Sequence, residues 1–135
     1  MRGAAQSNLY KPANNMLTMV RVSTMFVPYK LVLSEKRPVA LEVRVKNTGN
    51  ESRLASILVE VPYELSLNAG GYARRQEQRI GTIKPGAEKK ITFYIFPKPT
   101  TEPGEYEITL AAVEHMDDYT FAARETRKTI TLRVV

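Results

Sequence analysis

From Leu17 onward, apolar residues recur at every second position in short runs divided by turn residues. The clearest run has Val39, Leu41, Val43 and Val45 alternating with Ala40, Glu42, Arg44 and Lys46. That period predicts a half-buried strand with one inward face. Met19–Val27 predicts an earlier strand, stopped at Pro28 and resumed over Lys30–Leu33. Such a break suits an edge strand, where a missing N–H removes no ladder bond. Leu54–Val61 predicts a strand with Ala55, Ile57, Val59 and Val61 on one face, closed by Pro62. Ile91, Phe93 and Ile95 alternate with Lys90, Thr92 and Tyr94 before Pro97 and Pro99. Tyr106, Ile108, Leu110 and Ala112 mark a further strand, and Ile130, Leu132 and Val134 the last.

Turn chemistry fills the gaps. Ser34–Pro38 is a polar turn, and Asn47-Thr48-Gly49-Asn50 offers residues that tolerate positive φ. Lys84-Pro85-Gly86-Ala87 has Pro second and Gly third, the type II signature. Pro103-Gly104 marks another turn, so Gly49, Gly86 and Gly104 are read as structural glycines. His115–Thr120 reads as a polar loop, and Tyr63–Gln78 as a long loop followed by one short strand near Gln78–Ile83. No segment carries a helical period. Seven to eight short strands with turns between them predict an all-β antiparallel sandwich or barrel. Residues 1–16 lack a period and read as a flexible basic N-terminal arm, leaving 17–135 as one domain.

Charge sharpens that division. The net charge is +6. In residues 1–37, Arg2, Lys11, Arg21, Lys30, Lys36 and Arg37 stand against Glu35 alone, so the body is nearly neutral. A basic arm can attract nucleic acid or anionic lipid, but a solvated tail is the favoured reading. The chain has no cysteine, which excludes disulfides, thiolate metal sites and cysteine nucleophiles. No apolar run is long enough to span a bilayer as a helix. The N-terminal segment lacks the apolar core of a secretory signal. The expected location is therefore cytoplasmic, or extracellular if a leader lies outside this sequence.

Four pieces occur in order: Val45-Lys46-Asn47-Thr48-Gly49-Asn50, Val59-Glu60-Val61-Pro62, Ile83-Lys84-Pro85-Gly86 and Pro103-Gly104-Glu105-Tyr106-Glu107-Ile108. Over Leu41–Val113 this order resembles prokaryotic immunoglobulin-like modules, the CARDB-type cell-adhesion-related domains and the modules appended to glycosidases. The resemblance implies an immunoglobulin-like β-sandwich with no shared active site. It also implies an accessory role at carbohydrate or cell surfaces. Tyr106, just inside a strand after Pro-Gly, fits a tyrosine corner, with its ring in the core and its hydroxyl on nearby backbone.

Candidate chemistry is sparse. The one histidine, His115, precedes Met116-Asp117-Asp118. A metal or catalytic site would need further ligands or a nucleophile motif, so a polar turn is the favoured reading. No phosphate-binding glycine loop is present. The expectation is a non-enzymatic protein-interaction or structural module without metal or cofactor, holding a protein partner or a second copy of itself. Tyr94 and Phe96 should face outward, and Leu58 on its own strand likewise, so that together they form either an exposed apolar patch or a seat covered by the N-terminal arm or the long loop. Arg74, Arg75 and Arg79 form a basic cluster, diluted by Glu77, that could dock an acidic partner or a phosphate backbone. A carbohydrate partner would use exposed rings such as Tyr63, Tyr72 or Tyr119. The last strand carries Thr129, Thr131 and Arg133 outward. If it is a sheet edge it could pair with another chain, guarded by Arg127, Lys128 and Arg133.

Overall fold

The computed structural model describes residues 20–135. The arm expected over residues 1–16, and the start of the first expected strand at Met19, lie outside them. The described chain is all-β and lies in two sheets. Its strands are β1 (Val20–Val27), β2 (Lys30–Leu31), β3 (Val39–Asn47), β4 (Arg53–Glu60), β5 (Leu65–Ser66), β6 (Arg75–Ile83), β7 (Glu88–Pro97), β8 (Gly104–His115) and β9 (Ala122–Val134). A 3-10 turn at Leu33–Glu35 is the one helical element among the described residues.

One sheet has the order β1-β3-β7-β5 and the other β2-β9-β8-β4-β6. The inward sets meet between them. Leu41, Val43, Phe93 and Ile95 come from the first sheet, and Ile57, Val59, Ile108, Leu110 and Leu132 from the second, all essentially without solvent contact. Each such side chain contributes roughly 1.5–3 kcal/mol of apolar burial, which is why the strict alternation of β3 suffices to fix its register. The chain crosses between sheets after β1. β2 then runs parallel to β9, and Val135 is held from both directions, donating its N–H to the Leu31 carbonyl (2.9 Å) and accepting from the Leu33 N–H (2.8 Å). Register shifts at Ala55/Ser56 and Glu114/His115 supply local twist of the kind that bends a sheet.

Three elements depart from the sequence expectation. β6 begins at Arg75, so the expected loop over Tyr63–Gln78 is interrupted by β5 and shortened by β6. β6 is an edge strand whose Arg75–Arg79 half has polar, exposed side chains on both faces; its backbone pairs along all of β4, and only Ile80 and Ile83 at its end reach the core. β9 begins at Ala122, well before Ile130, because its first half is likewise polar.

Asn47 joins two turns. It is fully buried, and its backbone N–H donates to the Ala87 carbonyl (3.0 Å) while its carbonyl accepts from the Gly86 N–H (2.8 Å). Its side-chain amide donates to the carbonyls of Glu51 (2.7 Å) and Ile83 (2.8 Å), and its Oδ1 accepts from the Gly49 N–H (2.9 Å). Every polar atom of a buried amide is thereby satisfied. The turn opposite it has Gly86 at φ 77° and an Ala87 N–H to Lys84 carbonyl bond of 2.9 Å, the type II geometry. Gly104 opens β8 opposite Val134. Tyr106 packs on the core and donates its hydroxyl to the Glu102 carbonyl at 2.7 Å.

Candidate interaction faces

The outer face of the four-stranded sheet follows from register. Val27 pairs with Ala40, and Ala40 with Tyr94, in one cross-strand row. Met25, Glu42 and Thr92 form the adjacent row. Phe96 shares the parity of Tyr94 and pairs with Ser66 at the end of the sheet. The exposures are 52% for Met25, 43% for Val27 and 52% for Tyr94, with Phe96 half-buried. Tyr29, just past Pro28, is 73% exposed beneath the Lys30 ammonium. Large apolar side chains exposed singly are ordinary, whereas Met25, Val27 and Tyr94 are neighbours on one sheet face. At the far end of the same face Arg21, Arg44, Lys46 and Lys90 dominate, and Glu88 and Glu42 make ion pairs at 3.9 Å with Arg44 and Lys90.

At its Phe96 end the strip enters a cleft of about 570 Å³. Leu33, Pro38, Phe96 and Pro97 supply apolar walls, and Lys36 and Lys98 supply charge. Lys98 is placed by Tyr63: its ammonium donates to the Tyr63 carbonyl (2.7 Å) and lies 4.8 Å from the ring centroid. Lys36 closes the 3-10 turn through its N–H to the Leu33 carbonyl and sits at φ 54°.

Leu58 does not belong to this strip. It lies on β4 in the five-stranded sheet, so the single apolar patch expected from Leu58, Tyr94 and Phe96 is divided between opposite sides of the molecule. Alternation tells inward from outward but not which sheet a strand joins. Leu58 instead shares its face with the arginine cluster. Arg75, Glu77 and Arg79 stand opposite Glu60, Leu58 and Ser56. The three arginines are differently engaged. Arg75 pairs with Glu60 at 3.7 Å, Arg79 stacks on Tyr119 at 4.5 Å, and Arg74 lines a groove of about 350 Å³ shared with Arg75, Glu60 and Glu107. Two carboxylates against two guanidiniums leave that groove with little net attraction for a phosphate backbone.

His115 ends β8 on this same face. Its Nε2 shares a 2.8 Å hydrogen bond with Ser56 Oγ, its ring meets Tyr119 edge-on at 5.0 Å, and Nδ1 is buried without a partner. Tyr119 in turn accepts from the Gly81 N–H at 2.8 Å. Ser56 is fully buried, so its hydroxyl cannot meet a substrate. Asp117 and Asp118 are exposed, and Asp118 accepts from the Thr120 N–H. Among the described residues no group of three or more His, Asp and Glu is arranged to hold a metal ion. This pair escaped the sequence reading because its members lie 59 residues apart. Glu114 points the other way, into the sandwich. It is 2% exposed, with Arg53 at 3.8 Å and Arg124 at 3.7 Å, yet neither oxygen accepts a hydrogen bond.

Tyr63 and Tyr72 are exposed, whereas Tyr119 is half-buried between Arg79 and His115. β9 pairs with β2 through Arg133 and Val134 alone, so among the described residues the rest of that edge is open. Arg127 is paired with Glu125, and Lys128 reaches across to the Val22 carbonyl of β1. No helix of the described residues is long and apolar enough to cross a membrane.

No family model matches the sequence, and no curated protein matches it. Among solved structures the chain is similar to AvmM, which catalyses macrocyclization in alchivemycin A biosynthesis. The identity is 8% over 85% of this chain and 89% of that one, with a TM-score of 0.47. It is similar also to Spo0M, a sporulation control protein from Bacillus subtilis, at 16% identity over 87% of this chain, with a TM-score of 0.46. This chain spans 50% of the length of the Spo0M chain.

Proposed function

We propose that this chain is a non-enzymatic interaction module with an immunoglobulin-like sandwich, holding a protein partner on the outer face of its four-stranded sheet. The observation that carries the reading is the strip of Met25, Val27 and Tyr94, adjacent by register and each at least 43% exposed. Tyr and Met are enriched in interface cores. The lone histidine bonds a buried serine, which favours a structural role for both over a catalytic one.

Strand order supports the immunoglobulin-like part of the reading. β1, β3, β7 and β5 fall in the places of strands A, B, E and D, and β4, β8 and β9 in those of C, F and G. Tyr106 stands near the start of the F-place strand and bonds backbone four residues upstream, as a tyrosine corner does. One feature is its own: β5 precedes β6 along the chain, whereas the C′ place filled by β6 ordinarily precedes D.

The test is capture from native lysate at about 0.15 M and about 1 M salt, since charge-driven contacts weaken as the screening length shrinks. Tyr94→Asp and Thr131→Asp, on opposite outer faces, are run beside the parent chain. A stoichiometric protein held at high salt by the parent and by Thr131→Asp, and lost from Tyr94→Asp, is the expected result. Equal retention by Tyr94→Asp sinks the reading.

A further inference from the structure

We infer that the cleft beside Phe96 takes an acidic, apolar peptide segment of that partner, with a hydrophobic side chain against Phe96 and Pro97 and its carboxylates against Lys36 and Lys98. The inference rests on the proposed docking face and names what that face recognises.

Three observations carry it. The first is form. At about 570 Å³ the cleft lies within the ~300–1,000 Å³ range of ligand sites, and its walls are predominantly apolar. It is also not isolated. Tyr94 and Phe96 lie two residues apart on one face of β7, and Pro38 directly precedes Val39, which pairs with Ile95. At roughly 3.3 Å per residue, the path along β7 from the Thr92 row to Phe96 spans about four residues of extended chain. An extended segment can therefore lie along Tyr94 and put its end in the cleft.

The second is charge. Lys36 and Lys98 line the cleft and no acidic residue does. Among the described residues neither ammonium has a carboxylate within ion-pair distance. Lys98 is held in place by the Tyr63 carbonyl and ring, which occupy one donor and leave others for a ligand. The groove beside Arg74 differs on this point, because Glu60 and Glu107 offset its guanidiniums. A desolvated anion would therefore be compensated in the cleft and opposed in the groove.

The third is backbone. Lys36 occupies the left-handed region at φ 54°, where a residue with a Cβ is disfavoured by roughly 1–2 kcal/mol. Residues held in such conformations concentrate at ligand sites, and this one carries a charge into the cleft.

The experiment selects a displayed random decapeptide library on the purified chain, on Lys36→Glu, on Lys36→Glu/Lys98→Glu and on Tyr94→Asp, with each fold verified by circular dichroism. Lys36→Glu alone guards against damage from the lost Lys98–Tyr63 contact. The parent chain should enrich peptides combining Asp or Glu with aromatic or aliphatic residues. One such peptide, resynthesised, should bind Lys36→Glu/Lys98→Glu at least ~10-fold more weakly, Lys36→Glu in the same direction, and Tyr94→Asp more weakly as well. Enriched peptides without acidic residues, or equal binding to the charge-reversed chain, overturn the cleft inference. Loss in Tyr94→Asp would in that case leave the docking face standing. Indifference to all three variants, or no enrichment at all, overturns both.

Discussion

The two outer faces are built from similar pieces and end up differently exposed. The five-stranded sheet has small and apolar residues along its middle: Ser56 and Leu58 on β4, Ala111 and Val113 on β8. Ser56 and Ala111 point away from the core, yet each is at most 1% exposed. Their flanking strands carry long side chains, with Glu77 and Arg79 on one side and Glu125 and Arg127 on the other, and the Tyr119–His115 pair closes over one end. Among the described residues the four-stranded sheet has no such cover at its Val27 end. There the edge strand presents Met25 and Val27, and the next two strands Ala40 and Tyr94. Exposure of an outward apolar residue is thus set by the reach of its cross-strand neighbours more than by its own identity.

That contrast can be broken at several points. The largest effect is expected at the uncovered face. Tyr94→Asp should weaken binding of the captured partner by about 30-fold or more, as for a hot-spot residue worth roughly 2 kcal/mol, while urea unfolding shows a stability change under about 0.5 kcal/mol. At the covered face the order reverses. Tyr119→Ala removes the acceptor of the Gly81 N–H and the ring beneath Arg79; urea melts should show a loss of about 2 kcal/mol, with partner affinity unchanged. Ala111→Leu intrudes on the shielded middle and should cost about 1 kcal/mol by the same melts. Thr92→Leu, at an exposed position of the other face, should change stability by less than about 0.5 kcal/mol. Matching penalties for Ala111→Leu and Thr92→Leu would mean that the two faces do not differ in cover.

Where two faces of a strand met different environments, the chain was legible. β3, β4 and β7 stand where alternation placed them, with Leu41, Ile57 and Phe93 inward. The first halves of β6 and β9 were hidden because their side chains are polar on both faces and so carry no apolar period. The interaction face was half legible. Parity put Tyr94 and Phe96 outward, but it assigns no sheet, so Leu58 could not be separated from them. Met25 and Val27 join the strip only through pairing with β3. The Arg74, Arg75 and Arg79 cluster dispersed because Arg74 precedes the strand, Arg75 and Arg79 stand four residues apart along it, and each guanidinium found its own surroundings.

Asn47 has a consequence for the order of events in folding. Its amide reaches Glu51 four residues away and Ile83 thirty-six residues away. The second contact forms only after β4, β5 and β6 have been laid down, so the closing of so long a loop precedes it. Asn47→Ala should then leave the refolding rate nearly unchanged and speed unfolding, a φ-value near zero in a chevron analysis. The residue that fastens the two turns together would act as a latch on the finished sandwich, governing how long the native state lasts and not how quickly it is reached.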